Sequence, residues 1–81
     1  MSEHREFLAR TLRRVLDGGD IANGELSTAI KDARVLQGAE MKAYFGLSYW
    51  ADDADVRAKD PTYASMRRQG LARLFEDLGD A

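Results

Sequence analysis

The chain has 81 residues, no cysteine and a formal charge of −2, a size that holds one core and no second domain. Its 44% hydrophobic content is too high for a disordered chain, and without a thiol there is no disulfide framework, thiolate metal site or cysteine nucleophile. The acidic balance (sequence pI about 5.3) argues mildly against a nucleic-acid binder, which ordinarily carries a basic excess.

The first helix is predicted from Glu3 to Asp17, with Phe7, Leu8, Leu12, Val15 and Leu16 as its buried stripe. Gly18-Gly19 ends it, because glycine takes the left-handed conformation that a helix C-cap needs. The bend Asp20-Ile21-Ala22-Asn23-Gly24 is rich in turn residues, and a second helix from Glu25 to Gln37 turns Leu26, Ala29, Ile30, Ala33 and Leu36 inward. The short spacer suits an antiparallel hairpin of these two helices. Ala39 to Phe45 reads as a short helix, Gly46-Leu47-Ser48 as a turn with Ser48 as a cap, and Tyr49 to Lys59 as another helix. The last helix runs from Pro61 to Leu78. Asp60 caps it, proline suits its first position, and Tyr63, Met66, Leu71, Leu74, Phe75 and Leu78 recur at three- and four-residue steps. No alternating run of β-branched residues occurs. The expected fold is all-α: one domain over residues 1–81, of four or five helices, with an N-terminal antiparallel hairpin packed on a long C-terminal amphipathic helix.

No run approaches the ~20 apolar residues of a membrane span. The start, Met1-Ser2-Glu3-His4-Arg5-Glu6, lacks the apolar stretch of a signal peptide, so a reducing cytoplasm is the expected location. Lysine occurs only at Lys31, Lys42 and Lys59, and this arginine-rich composition with abundant Ala, Gly, Asp and Leu suits a GC-rich bacterial or phage genome.

Catalytic chemistry is not marked. His4 is the one histidine, with no nucleophile spaced for it. There is no phosphate-binding loop, and Gly18-Gly19 lacks the strand–helix setting of a dinucleotide site. Asp52, Asp53, Asp55 and Asp60 form the densest acidic segment, but Arg57 and Lys59 fall where calcium ligands would have to continue. No enzyme activity, cofactor or metal is expected. These carboxylates either charge the first turns of a helix or form an acidic patch for a basic groove on a partner.

Ala39-Glu40-Met41-Lys42-Ala43-Tyr44-Phe45-Gly46-Leu47-Ser48 resembles the front half of a helix-turn-helix, in which a short helix ends at a glycine and an apolar residue follows. Gly46 and Leu47 match that pattern. Lys42 stands where the family has a small residue, and Asp52 and Asp55 stand where the recognition helix would bury aliphatic side chains. The resemblance implies a DNA-binding repressor or packaging subunit. Its phosphate contacts would come from Arg10, Arg13 and Arg14 or from Arg67 and Arg68, although carboxylates at the front of the recognition helix oppose phosphate binding.

Tyr44, Phe45, Tyr49, Trp50 and Tyr63 fill the core on the plain reading. On the sharper one, Tyr49 and Trp50 are partly exposed anchors, since such residues dominate binding hot spots. The leading expectation is a non-catalytic module that docks to a protein partner as a regulator, adaptor or stoichiometric inhibitor. Its contact candidates are Tyr49, Trp50, Asp52, Asp53, Asp55 and Arg67. In general style this resembles phage and mobile-element proteins that block host machinery, including anti-CRISPR inhibitors. A homodimer through the C-terminal helix stays open, and no membrane partner is expected.

Overall fold

The computed structural model describes residues 3–80, so Met1 and Ser2 of the charged start lie outside the described residues. Among the described residues the chain is all-α. It runs through α1 (Glu3–Leu16), α2 (Asn23–Ala29), a 3-10 turn (Ala33–Val35), α3 (Ala39–Asp52), α4 (Ala54–Lys59) and α5 (Pro61–Asp80). No described helix is long and apolar enough to cross a membrane.

Both long outer helices start and stop as their sequences dictate. In α1, Leu8, Leu12 and Val15 are buried at three- and four-residue steps, with Phe7 and Leu16 packed beside them. Gly18 then takes φ of +105° and its N–H bonds to the Val15 carbonyl at 3.1 Å, which ends the helix. At the head of α5, the Asp60 carboxylate accepts the Tyr63 N–H at 3.1 Å. Leu71 and Leu78 are buried within the chain, and Tyr63, Leu74 and Phe75 are half-buried. Met66 alone of the expected stripe stays outside, 59% exposed.

Three expectations are corrected. First, α2 stops at Ala29 instead of continuing to Gln37: Ile30 is extended, and the Asp32 side chain accepts the Arg34 N–H at 3.0 Å to start the 3-10 turn. Ser, Thr and Asp side chains as a class compete with the helical backbone for hydrogen bonds, and here Asp32 does so. The extended stretch still delivers both Ile30 and Leu36 to the core. Second, the first two helices do not pair as the main hairpin. The frame is α1, α3 and α5 packed mutually, with α2 lying on α3.

Third, α3 passes straight through Gly46-Leu47-Ser48, and the helical break falls at Asp53, with φ −91° and ψ 14°. Gly46 is a packing residue here. A Cβ at that position would lie 2.5 Å from Leu74 Cδ1 and 3.3 Å from Leu71 Cδ2, so glycine lets α3 and α5 approach closely. Ser48 is not a cap; its hydroxyl bonds to the Asn23 side chain at 3.3 Å. A continuous α3 removes the turn on which the helix-turn-helix resemblance rests.

Candidate interaction face on the third and fifth helices

The two aromatics expected to anchor a partner have opposite environments. Trp50 is 1% exposed and therefore belongs to the core. Its indole N–H donates to the Asp20 carboxylate at 3.1 Å, and Asp20 also accepts the Ile21 N–H at 2.8 Å. The Arg57 guanidinium lies 3.8 Å from the indole centroid and that of Arg68 lies 5.1 Å away. Arg57 further donates to the Trp50 carbonyl at 2.6 Å and stands 3.7 Å from Asp20. The Nε atoms of both arginines are enclosed without an acceptor, which suits cations held against a ring face. One turn of loop, one tryptophan and two arginines thus lock the loop before α2, α3, α4 and α5 together.

Tyr49 is 56% exposed. Phe45, one turn earlier on α3, is 44% exposed and stacks edge-on with Tyr44 at 5.7 Å between centroids. On α5 the exposed Met66 stands next to Arg67, which faces the Tyr49 ring. Between the two helices runs a groove of about 290 Å³, lined by Gly46, Met66, Arg67, Gly70, Leu71 and Leu74. Its walls are low because Gly46 supplies no side chain and a Cβ at Gly70 would meet nothing within 4 Å.

The acidic segment does not form one patch. The Asn23 side-chain amide donates to Asp52, which turns Asp52 toward α2. Asp53 turns toward α5, where it accepts the Tyr63 hydroxyl at 2.6 Å and lies 3.8 Å from Arg67. This hydrogen bond holds the Tyr63 phenol above its ordinary pKa, because deprotonation would place two anions together. Asp55 is exposed on α4. Arg67, expected at a contact, does border the groove; its guanidinium lies 6.0 Å from the Tyr49 ring.

The arginines named for phosphate contact divide between two helices. On α1, Arg10 is exposed, Arg13 pairs with Asp17 at 3.5 Å, and Arg14 bonds to Glu25 and to the Asp20 carbonyl, both at 2.9 Å. The Arg14 guanidinium holds the Glu25 carboxyl below its ordinary range. On α5, Arg67 and Arg68 are engaged by Asp53 and Trp50. His4 is half-buried on α1, and no group of three or more metal-ligating side chains is found among the described residues.

A second concavity, of about 500 Å³, opens between the start of α1 and the end of α5, with Arg5, Ala9, Arg10 and Phe75 in its lining. Arg5 there already donates from both Nε, at 3.1 Å, and Nη2 to the Leu78 carbonyl, which satisfies a free acceptor near the end of α5.

Sequence reasoning missed Phe45 and Met66. Phe45 shares a four-residue spacing with Tyr49, a signal readable only once α3 is known to be continuous. Met66 sits in an otherwise buried stripe, and nothing local distinguishes it. No family model, no curated protein and no solved structure matches this chain.

Proposed function

We propose that this protein is a small non-catalytic interaction module that docks to a protein partner through the α3–α5 face and acts by occupancy, as a regulator, adaptor or stoichiometric inhibitor. The observation that carries this reading is the exposure of Phe45, Tyr49 and Met66 together beside a glycine-walled groove. Large apolar side chains gathered at a concave site mark contact surfaces more often than scattered ones do, and aromatics, methionine and arginine are the residues enriched there. The contact surface is therefore Phe45, Tyr49, Met66 and Arg67. Trp50, as part of the frame, is outside it.

A photo-cross-linking amino acid at position 49, introduced in the native host, tests this directly. One discrete cross-linked protein band, lost when Met66→Asp is added, is the expected result. The reading falls if position 49 captures nothing above a control at the exposed position 13. It also falls if the purified protein retards duplex DNA at low salt and Arg13→Ala or Arg14→Ala weakens that binding.

A further inference from the structure

We propose that Asn23-Gly24 is a modification site: Asn23 deamidates spontaneously through the backbone nitrogen of Gly24, and Asp52 rejects the carboxylate that results, which frees α2 from α3.

Asn23 is the only asparagine of the chain, and a glycine follows it. Glycine has no side chain to obstruct attack by its own nitrogen on the preceding carboxamide. Both residues are exposed, and a Cβ at Gly24 would meet nothing within 4 Å. Gly24 is the second residue of α2, where a helix leaves its N–H groups without an intrahelical acceptor. Its N–H has no acceptor among the described residues. The attacking nitrogen is therefore not tied up in a hydrogen bond.

Two side chains of α3, one turn apart, hold the carboxamide. The Ser48 hydroxyl donates to Asn23 Oδ1 at 3.3 Å, and Asn23 Nδ2 donates to the Asp52 carboxylate. This clamp fits an amide, which accepts at one end and donates at the other. A carboxylate only accepts, so an aspartate at position 23 would set two anions against each other. While both bonds stand, the carboxamide is held toward α3 instead of the Gly24 nitrogen, and reaction waits on local opening of α2. That helix is built to open first. It has seven residues, no side-chain N-cap and Leu26 as its one buried side chain, and a helix so short draws its stability from packing alone.

The reaction balances without a co-reactant other than water. The Gly24 nitrogen loses its proton to solvent and bonds to the Asn23 side-chain carbonyl carbon, whose bond to the amide nitrogen breaks, so that ammonia leaves. Water then opens the cyclic imide at either carbonyl, giving aspartate or isoaspartate. One water is consumed, one ammonia is released, and nothing is oxidised or reduced. The change is one-way, so α2 once released stays without its tie to Asp52.

The test incubates the full chain at mildly alkaline pH and physiological temperature and maps its peptides by mass. The peptide containing Asn23 should gain about one dalton and carry isoaspartate. Conversion should be at least about tenfold slower in buffer than in denaturing urea. Asp52→Ala should speed conversion in buffer at least about threefold, Asp55→Ala should leave it unchanged, and Gly24→Ala should suppress it. An Asn23 that stays intact in buffer, a rate equal to that in urea, or an Asp52→Ala rate no faster than the parent's would each overturn the proposal. The consequence is tested by Asn23→Asp, which should melt at least about 3 °C below the parent. Adding Asp52→Asn should recover most of that loss, because the amide then stands on α3. An Asn23→Asp chain as stable as the parent, or one that Asp52→Asn does not rescue, would show that Asp52 does not reject the product.

Discussion

Tyr49 and Trp50 are neighbours on one helix, and α3 gives them to two different regions of the molecule. The Trp50 side is closed. Its N–H has an acceptor, its ring has two guanidiniums against it, and Ala43 and Leu47 continue the buried face along the helix. The Tyr49 side is open, and Phe45 and Met66 extend it over a groove that no described residue fills. Aromatic residues therefore cannot be sorted into core and contact by their sequence neighbourhood. Adjacent positions on a helix point about 100° apart, and the packing of distant elements decides which direction is inside.

Truncating each aromatic in turn should separate the two sides most strongly. Trp50→Ala removes the largest buried side chain and leaves Asp20 and Arg57 without their ring, a loss of about 3–5 kcal/mol. For a domain of this size such a loss approaches the whole stability, so the variant should be largely unfolded at room temperature. Trp50→Phe keeps most of the volume and provides a foldable intermediate. Tyr49→Ala should stay within about 0.5 kcal/mol of the parent in urea denaturation. If Tyr49→Ala unfolds the chain as readily as Trp50→Ala does, the two faces are not distinct.

The helices whose signals are local were legible in the sequence. Asp60-Pro61 starts α5 where the cap rule places it, Gly18 stops α1, and the α1 stripe is buried as spaced. The parts that were not legible depend on contacts made across the fold. Leu26, Ala29, Ile30, Ala33 and Leu36 keep helical spacing, so only the hydrogen bond that Asp32 offers the backbone reveals the break after Ala29. Gly46 has the local signature of a turn, yet its reason lies in Leu71 and Leu74, 25 and 28 positions away. Within the candidate face, Tyr49 and Arg67 were legible as surface residues with contact chemistry. Trp50 was misplaced because Asp20 and Arg57, which bury it, are remote or carry no signal of that role.

The two glycines of the groove differ in surroundings as the two aromatics do. Both lie inside long helices, where glycine costs roughly 0.5–1 kcal/mol relative to alanine. Gly70 has open space over it, so Gly70→Ala should stabilise the chain by about 0.5–1 kcal/mol. Gly46 has Leu74 in the way. The same substitution there should range from neutral to about 2 kcal/mol destabilising, because the Leu74 tip must yield before the helical gain is felt. Paired thermal melts measure the difference. Equal stabilisation by both substitutions would mean that α3 and α5 are not in close contact at Gly46. Adding side chains at Gly70 should also shallow the groove, so Gly70→Leu should hold stability while weakening any partner.

The smallest expected effect probes the closed end of the groove, where Asp53 ties Tyr63 to Arg67. The Tyr63 hydroxyl donates to a carboxylate, so its proton is held more tightly in the folded chain than in the unfolded one, whose phenol titrates near pH 10. A group with a raised folded pKa contributes stability that is fully present below the unfolded value and is lost as pH rises through the folded value. The bond should therefore stabilise the fold evenly through neutral pH and fail only in strong alkali. Phenolate absorbance should show one tyrosine ionising above the ordinary range, and Asp53→Asn should bring that step down, since the amide oxygen accepts the bond without an anion's repulsion of the phenolate. An unchanged titration in that variant would mean that Asp53 does not hold Tyr63.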